Sequence, residues 1–339
     1  MVYAVCFFIS IIALLWSIGR GRAASTNEVM LSVIVMVANG GYFALHYAQN
    51  LEEALLANKL SYIIACFGPM VMLLIVCDIC KHTISRTVRV IMYAIQFVVY
   101  LTVLSTGYSE IFYKSARFVL TDEGGYLTKT YGPLHTVYLV TMYGYMLAGV
   151  VVAFYSINKK NVVSAVNVEI LLASDILSIC VYAVERFIKI RFELVPIVFT
   201  ISLVVDIFIM TKLSMYSPDR NDRILQDKLG VNGRIIVDKK MRFMGASEKA
   251  VLLFPELADW ELEKKIPGNG GRFNTFLRQP LREYVESGSM DAKRGAPFDF
   301  DGRHYVYDIY PMLNSIGKQL GYVMEIGDVT DIVNAHAGE

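Results

Sequence analysis

Apolar residues run in seven long stretches through the first two thirds of the chain, at about 2–19, 29–49, 60–80, 88–107, 134–156, 166–185 and 193–214. Each approaches the roughly 20 helical residues that cross a bilayer core about 30 Å thick. Lipid offers no partner to a peptide N–H or C=O, so each run predicts a membrane-spanning helix. The connections are mostly short, with one long loop at 108–133. In it, residues 118–121 and 126–131 flank Asp122-Glu123-Gly124-Gly125. That pattern predicts two short strands about a glycine turn. A hairpin there would cap one end of the bundle; an ordered loop without function is the plainer alternative.

After about residue 214 the pattern changes. A charged connector over 215–228, broken at Pro218, leads into shorter elements over 229–332. Runs at 234–238 and 241–245 predict strands about a Lys239-Lys240 turn. Helices are predicted at 248–253, 259–266 and 274–287, then strands at 296–301, 303–310 and 321–326. Tyr305, Tyr307 and Ile309 alternate with polar or smaller residues, as a half-buried strand requires. The expected fold is a membrane all-α seven-helix bundle (1–214) plus an α/β domain with an antiparallel five-stranded sheet and helices, ending in a tail at 333–339.

Composition supports this partition. Of 339 residues, 55% are hydrophobic and 19% charged, and mean hydropathy is positive. A soluble chain of this length would carry more charge. Net charge is +1, which gives no electrostatic case for nucleic acid. The five cysteines, Cys6, Cys66, Cys77, Cys80 and Cys180, all lie in apolar stretches, which is not a disulfide framework. Cys77 and Cys80 form a C-x-x-C that reads as two small apolar residues near a helix end rather than a metal site.

At the amino terminus, Arg20 and Arg22 follow the apolar run instead of preceding it. A secretory signal has the reverse order, so the first helix is expected to be retained, with its start outside. Basic residues barely decide orientation. Arg20, Arg22, Lys81, Arg86, Arg89, Lys159 and Lys160 face Lys59, Lys114, Arg117, Lys129, Arg186, Lys189 and Arg191 across the membrane. Lys212, Arg220 and Arg223 after the seventh span tip the balance and put the soluble domain in the cytoplasm.

Polar residues inside the spans mark candidate chemistry, because they are costly in lipid and usually face the bundle interior. Asn39, Gln96 and Asp175 lie near mid-depth, and Asp206 lies in the inner half of the seventh span. Tyr42, His46, Tyr62, Tyr100, His135, Tyr138 and Tyr182 gather toward the outer side. They would line a pocket for a small molecule, with Asn39, Gln96 and Asp175 as further ligand-binding candidates deeper in it, or form an interfacial aromatic belt. Asp175 reads either as an interhelical hydrogen-bond partner or as a ligand or switching group. Gly40-Gly41, Gly144 and Gly149 permit close helix approach, and Pro69 is expected to kink the third span.

Residues 228–332 resemble a PAS domain. The resemblance rests on GRIIVDKKMRFMGAS, which looks like the usual opening, and on Asp328-Val329-Thr330-Asp331, which looks like the closing D-[V/I/A]-T signature. Seven spans, the outer hairpin followed by Tyr131-Gly132-Pro133-Leu134-His135, and the seventh-span segment around Pro196 resemble the histidine kinase N-terminal seven-transmembrane region. Together the two resemblances imply a transmembrane receptor in a bacterial inner membrane, with its PAS domain cytoplasmic. They imply a small-molecule ligand, the lipid bilayer and a homodimer through the PAS domain and seventh span as partners. Asp206, Asp328 and Thr330 become candidate relay residues, and a kinase or diguanylate cyclase output is expected beyond Glu339.

Other classes fit less well. No cyclase signature, phosphoacceptor-histidine motif, nucleophile–base pair or metal-ligand cluster appears, so no catalytic residue is assigned. Gly268-Asn269-Gly270-Gly271 lacks the strand–loop–helix context of a phosphate-binding loop. A retinal protein needs a lysine midway along its seventh span, and only Lys212, at the edge, is present. A flavin photosensor needs a cysteine that the soluble domain lacks, and the one haem-ligand candidate, His304, has the wrong strand parity, so no cofactor is expected. A transporter with a regulatory PAS domain is the alternative, though no repeat halves are visible.

Overall fold

Seven helices long and apolar enough to cross a membrane are present among the described residues of the computed structural model. Those are all residues except 22–23, 122–123, 158–163, 189–192, 217–231, 269–270, 314–316 and 338–339. The helices are α1 (Val2–Gly19), α2 (Thr26–Tyr47), α3 (Leu51–Ile79), α4 (Arg86–Leu104), α5 (Pro133–Ser156), α6 (Ala165–Ile188) and α7 (Val195–Met215). The chain is thus a multi-pass membrane protein. Its contacts divide it into two compact units, one of Met1–Asn158 with Val166–Thr211 and one built on Lys212–Glu339. The connector expected over 215–228 lies, from 217 onward, outside the described residues.

Helix starts follow capping chemistry more than hydropathy. Ser25 accepts from the Glu28 N–H at 3.1 Å, so α2 begins before its apolar run. Asn50 does the same for Glu53 at 2.9 Å, and Glu52 and Glu53 occupy the first turn, where the helix dipole favours them. The third span therefore starts at Leu51 rather than near 60. Its 29 residues extend about 44 Å, more than the apolar core of a bilayer. The helix runs unbroken through Pro69.

α3 is the hub of the first unit. Its apolar window is 67% buried, against 22–44% in the other six spans, and it packs on α2, α4 and α5. The outer helices turn large apolar side chains outward, such as Phe8 and Leu15 on α1, Val98 on α4, Leu147 and Phe154 on α5 and Phe208 on α7. Such a surface suits lipid rather than water. At the α2–α3 contact the backbones nearly touch. A Cβ on Gly41 would lie 2.5 Å from the Ser61 nitrogen and 2.8 Å from the Ala57 carbonyl oxygen. Only glycine permits that approach.

The long loop forms the hairpin β1 (Tyr113–Thr121) and β2 (Gly124–Tyr131), longer on its first strand than predicted. Pairing runs from Tyr113↔Tyr131 to Thr121↔Gly124. Phe118 and Leu127 pack on Leu45 and Ala48 at the end of α2 and on Ala54 and Ala57 of α3. Gly124, at φ +125°, sits so close to His46 that a Cβ would meet its ring. The hairpin therefore covers the end of the bundle where α2 stops and α3 begins; this is called the hairpin end below.

In the second unit, β3 (Gly233–Asp238), β4 (Phe243–Ala246), β5 (Lys293–Phe300), β6 (Arg303–Leu313) and β7 (Gln319–Asp328) form one antiparallel sheet in the order β4-β3-β7-β6-β5. The helices are α8 (Glu248–Leu253), α9 (Gly271–Ser287) and α10 (Thr330–Ala337). Alternation works as read: Tyr305, Tyr307 and Ile309 are buried with Ile235, Val237, Met324 and Ile326 against Leu277 and Leu281 of α9. The Lys239-Lys240 turn is fixed by Asp238, whose carboxylate accepts from the Lys240 and Arg242 backbone N–H groups at 2.8 and 2.9 Å.

The helix expected over 259–266 does not form. A short 3₁₀ turn, Pro255–Asp259, precedes it, and Trp260 turns into the core in an extended conformation. Its indole N–H donates to Asn274 at 2.8 Å. Residues beyond it pair with the strand edge instead: the Phe243 N–H donates to Lys264 and the Ile266 N–H to Met241. Burying Trp260 and Ile266 while satisfying the free edge outweighs local helix propensity.

Gly41→Ala is expected to destabilise the membrane unit by about 1–3 kcal/mol through forced helix separation. Gly40→Ala, whose Cβ would meet only the movable Phe7 ring at 3.1 Å, is expected to be tolerated. Thermal melts of both variants in lipid nanodiscs check the contrast.

Candidate functional site

The hairpin end collects a dense aromatic group. Tyr62 of α3 stands 5.6 Å from Tyr138 of α5, 5.3 Å from Phe112 and 6.1 Å from Tyr113, ring to ring. His135 lies 5.3 Å from Tyr138 and 3.9 Å from Tyr131. The Tyr138 and Tyr182 hydroxyls are 3.2 Å apart, linking α5 to α6. Helical spacing produces part of this: His135 and Tyr138 are three residues apart on one face of α5. Pro133 in the first turn of α5, after the sharply packed Gly132, sets where that face begins.

Four sequence-predicted residues, Tyr62, His135, Tyr138 and Tyr182, thus meet in one place. Tyr100 packs on the same group from α4, with its hydroxyl donating to the Lys59 carbonyl at 3.1 Å. Tyr42 and His46 form a separate group with Tyr3, at 6.4 and 5.5 Å, under the hairpin turn. Asn39 lies elsewhere: its amide donates to the Cys6 carbonyl at 3.2 Å and Thr200 at 2.9 Å, tying α2 to α1 and α7. Gln96 is fully buried on α4, and neither end of its amide has a hydrogen-bond partner among the described residues.

The structure adds residues that the apolar pattern did not single out. Lys129 of β2 reaches inward, its ammonium 5.6 and 5.9 Å from the Tyr62 and Tyr113 ring centres and 3.8 Å from the Glu193 carboxylate. Burial opposes that charge, but Glu193 and the surrounding tyrosines outweigh it and hold the amine above the usual lysine range. Asn58, fully buried, donates to the Tyr113 hydroxyl at 3.3 Å. Burial keeps that hydroxyl well above the ordinary tyrosine range, so it remains a donor. In strand β2, Lys129 is flanked by exposed Thr128 and Thr130, so only tertiary contacts show that it faces inward.

Two narrow cavities run from this group into the bundle. One is lined by Ala65, Met142 and Tyr182, the other by Asp175 and Ser202; they share Pro69, Met146, Ser178 and Phe199. Asp175 is therefore one cavity further in than the tyrosines. The remaining candidate, Asp206, is buried on α7.

In the second unit, Asp328 and Thr330 form a clasp between β7 and α10. Asp328 accepts from the Thr330 N–H at 3.0 Å and its hydroxyl at 2.6 Å. The Thr330 hydroxyl oxygen accepts from the His304 N–H at 3.0 Å, binding the start of α10 to β6. His304 itself points away from the tyrosine face and pairs with Asp299 at 2.6 Å. Among the described residues no three His, Cys, Asp or Glu side chains gather to hold a metal.

Burial alone would raise the Asp328 carboxyl, but the Thr330 hydrogen bonds and Arg303 lower it below the usual carboxylate range. Its folded value is thus below its unfolded value, and the clasp contributes stability at neutral pH that is lost as pH falls through the depressed value. Hydrogen exchange of the α10 amides, corrected for intrinsic rates, should lose protection only below about pH 4. Asp328→Asn should loosen α10 at neutral pH by about 0.5–2 kcal/mol and abolish that acid transition.

Residues 1–217 match the family model described as "N-terminal 7TM region of histidine kinase". No curated protein matches the chain. Among solved structures, one titled "Sensor region of a sensor histidine kinase" is similar at 14% identity with a TM-score of 0.24. That alignment covers 39% of this chain and 52% of the other, so the chain spans about half of that structure's length.

Proposed function

The chain belongs to the family of N-terminal seven-transmembrane regions of histidine kinases, and on that premise we propose that it is a receptor whose ligand binds at the hairpin end of the bundle. The observation that carries this reading is the group of Tyr62, His135, Tyr138 and Tyr182 around the inward-turned Lys129. Ring faces suit an apolar or aromatic body, and the hydroxyls and ammonium suit a few acceptor atoms on it. The ligand is thus a small amphipathic molecule arriving from the extracytoplasmic side or through the lipid.

The rest of the proposal concerns output. The second unit acts as a cytoplasmic PAS-like relay. Two strands, helices and a three-strand meander closed by the Asp328–Thr330 clasp support that reading. Ligand occupancy shifts the packing of α5, α6 and α7, and the change reaches α10 and the output of a histidine kinase or diguanylate cyclase in a homodimer. A ligand does this only by binding the two packings with different affinity.

A thermal-shift screen of small amphipathic compounds on the chain in lipid nanodiscs tests the site. Compounds that raise Tm should bind His135→Ala and Tyr138→Ala at least about tenfold more weakly, a loss of about 1.4 kcal/mol. Unaltered affinity in both variants would contradict this location. Orientation is tested separately in intact cells. A cysteine at exposed Thr128 should react with a membrane-impermeant maleimide, and one at exposed Leu252 should react only after lysis. The reverse pattern would invert the receptor.

A further inference from the structure

The Lys129 ammonium has donors to spare. Its side chain is 13% exposed, and Glu193, the acid paired with it, stands at 3.8 Å, beyond hydrogen-bond distance. Among the described residues it is held by that charge and by the Tyr62 and Tyr113 ring faces rather than by hydrogen bonds. A largely enclosed cation without an acceptor is costly, and ring faces replace only part of its hydration. Tyr62, Tyr131 and Tyr182 also lie close enough to act on it. A phenol hydroxyl donates as an ammonium does, so the polar groups that converge here suit one negatively charged head.

Glu193 holds the place that such a head would take. Its side chain is 36% exposed, so it can swing into water, whereas Lys129 is enclosed. The backbone around Glu193 is fixed without that carboxylate. The Glu193 N–H donates to the Tyr3 hydroxyl at 3.0 Å, and Glu185 accepts from the Leu194 N–H and, at 3.0 Å, from the Val195 N–H. The Lys129–Glu193 pair therefore ties β2 to the segment just ahead of α7 through one side chain that water reaches. Past Tyr182, the cavity walled by Ala65, Met142, Val181, Val195 and Val198 is apolar except at Ser178.

Resting on the receptor reading above, we propose that the ligand carries a carboxylate, which takes the place of Glu193 on Lys129 while its apolar body lies against the tyrosine rings. A carboxylate matches the single ammonium in charge, and Glu193 already presents that group there. A phosphate dianion would leave a charge unmatched. An amine would have to expel Lys129 from its enclosed position. A neutral head would leave the pair, and its tie to α7, intact. Replacing Glu193 unties β2 from the start of α7, so the ligand binds the untied packing better than the tied one. That difference in affinity is what a receptor needs.

The test is Tm of the chain in lipid nanodiscs with octanoate, octanol and octylamine, probes that share a tail and differ in the head. Octanoate should raise Tm over either of the others by about 3 °C or more. Lys129→Gln should erase that advantage and leave the response to octanol unchanged. Loss of every response would make Lys129 a structural residue and overturn the proposal. Glu193→Gln should lower the octanoate midpoint about tenfold, because the competing carboxylate is gone. It carries the test should Lys129→Gln yield no folded protein, and an unchanged or raised midpoint overturns the proposal. Equal responses to octanoate and octanol, or none to octanoate, overturn it too. The location is judged apart. Octanol binding weakened by His135→Ala and Tyr138→Ala, with no preference for the carboxylate, removes this inference and leaves the hairpin-end site standing. A Lys129-dependent octanoate response that both variants leave intact supports the carboxylate contact and contradicts the wider site.

Discussion

Lipid gives nothing back to a polar group, and the first unit is organised around that constraint. Its outward faces are apolar, as at Phe8, Leu147 and Phe208. Several of its polar side chains turn inward and find partners on neighbouring helices. Asn39 ties α2 to α1 and α7, Ser174 ties α6 to α7, and Tyr138 ties α5 to α6. Without a hydrophobic drive between helices, such bonds and close backbone approaches carry the packing. The Gly41 contact with α3 is the tightest of these, and it seats α2 on the most buried helix.

The hairpin extends the same logic to the end of the bundle. It converts an open mouth into a covered one, with Gly124 pressed on His46 and Lys129 turned under the sheet. A cationic side chain facing inward among tyrosines costs desolvation, which Glu193 and the ring faces offset. Polar chemistry is therefore concentrated in two places, the aromatic group under the hairpin and the carboxylates along α6 and α7. Narrow cavities that share Pro69, Met146, Ser178 and Phe199 lie between them.

Much of this was legible in the chain because hydropathy and alternation report burial directly. The seven spans and the strands carrying Tyr305, Tyr307 and Ile309 are of that kind. What escaped depends on tertiary contact. The start of α3 hides behind Glu52, Glu53 and Lys59, where a cap rather than an apolar run decides the boundary. Residues 259–266 look helical until Trp260 is placed in the core. At the candidate site, histidine and tyrosines were visible as a group, because they gather toward the same end of their spans. Lys129, Asn58 and Phe112 were not, because a polar strand, a buried amide and a loop aromatic leave no periodic mark. Asn39 and Asp175 were read into the same pocket, whereas depth along the helix separates them from the tyrosines.

The central claim is that occupancy under the hairpin changes the state of α10. Hydrogen–deuterium exchange of the whole chain in nanodiscs, with and without a compound bound at His135 and Tyr138, measures this directly. Altered protection across Thr330–Ala337 and at the His304 amide is the predicted result. Full occupancy of the tyrosine group with unchanged exchange throughout the second unit would contradict it.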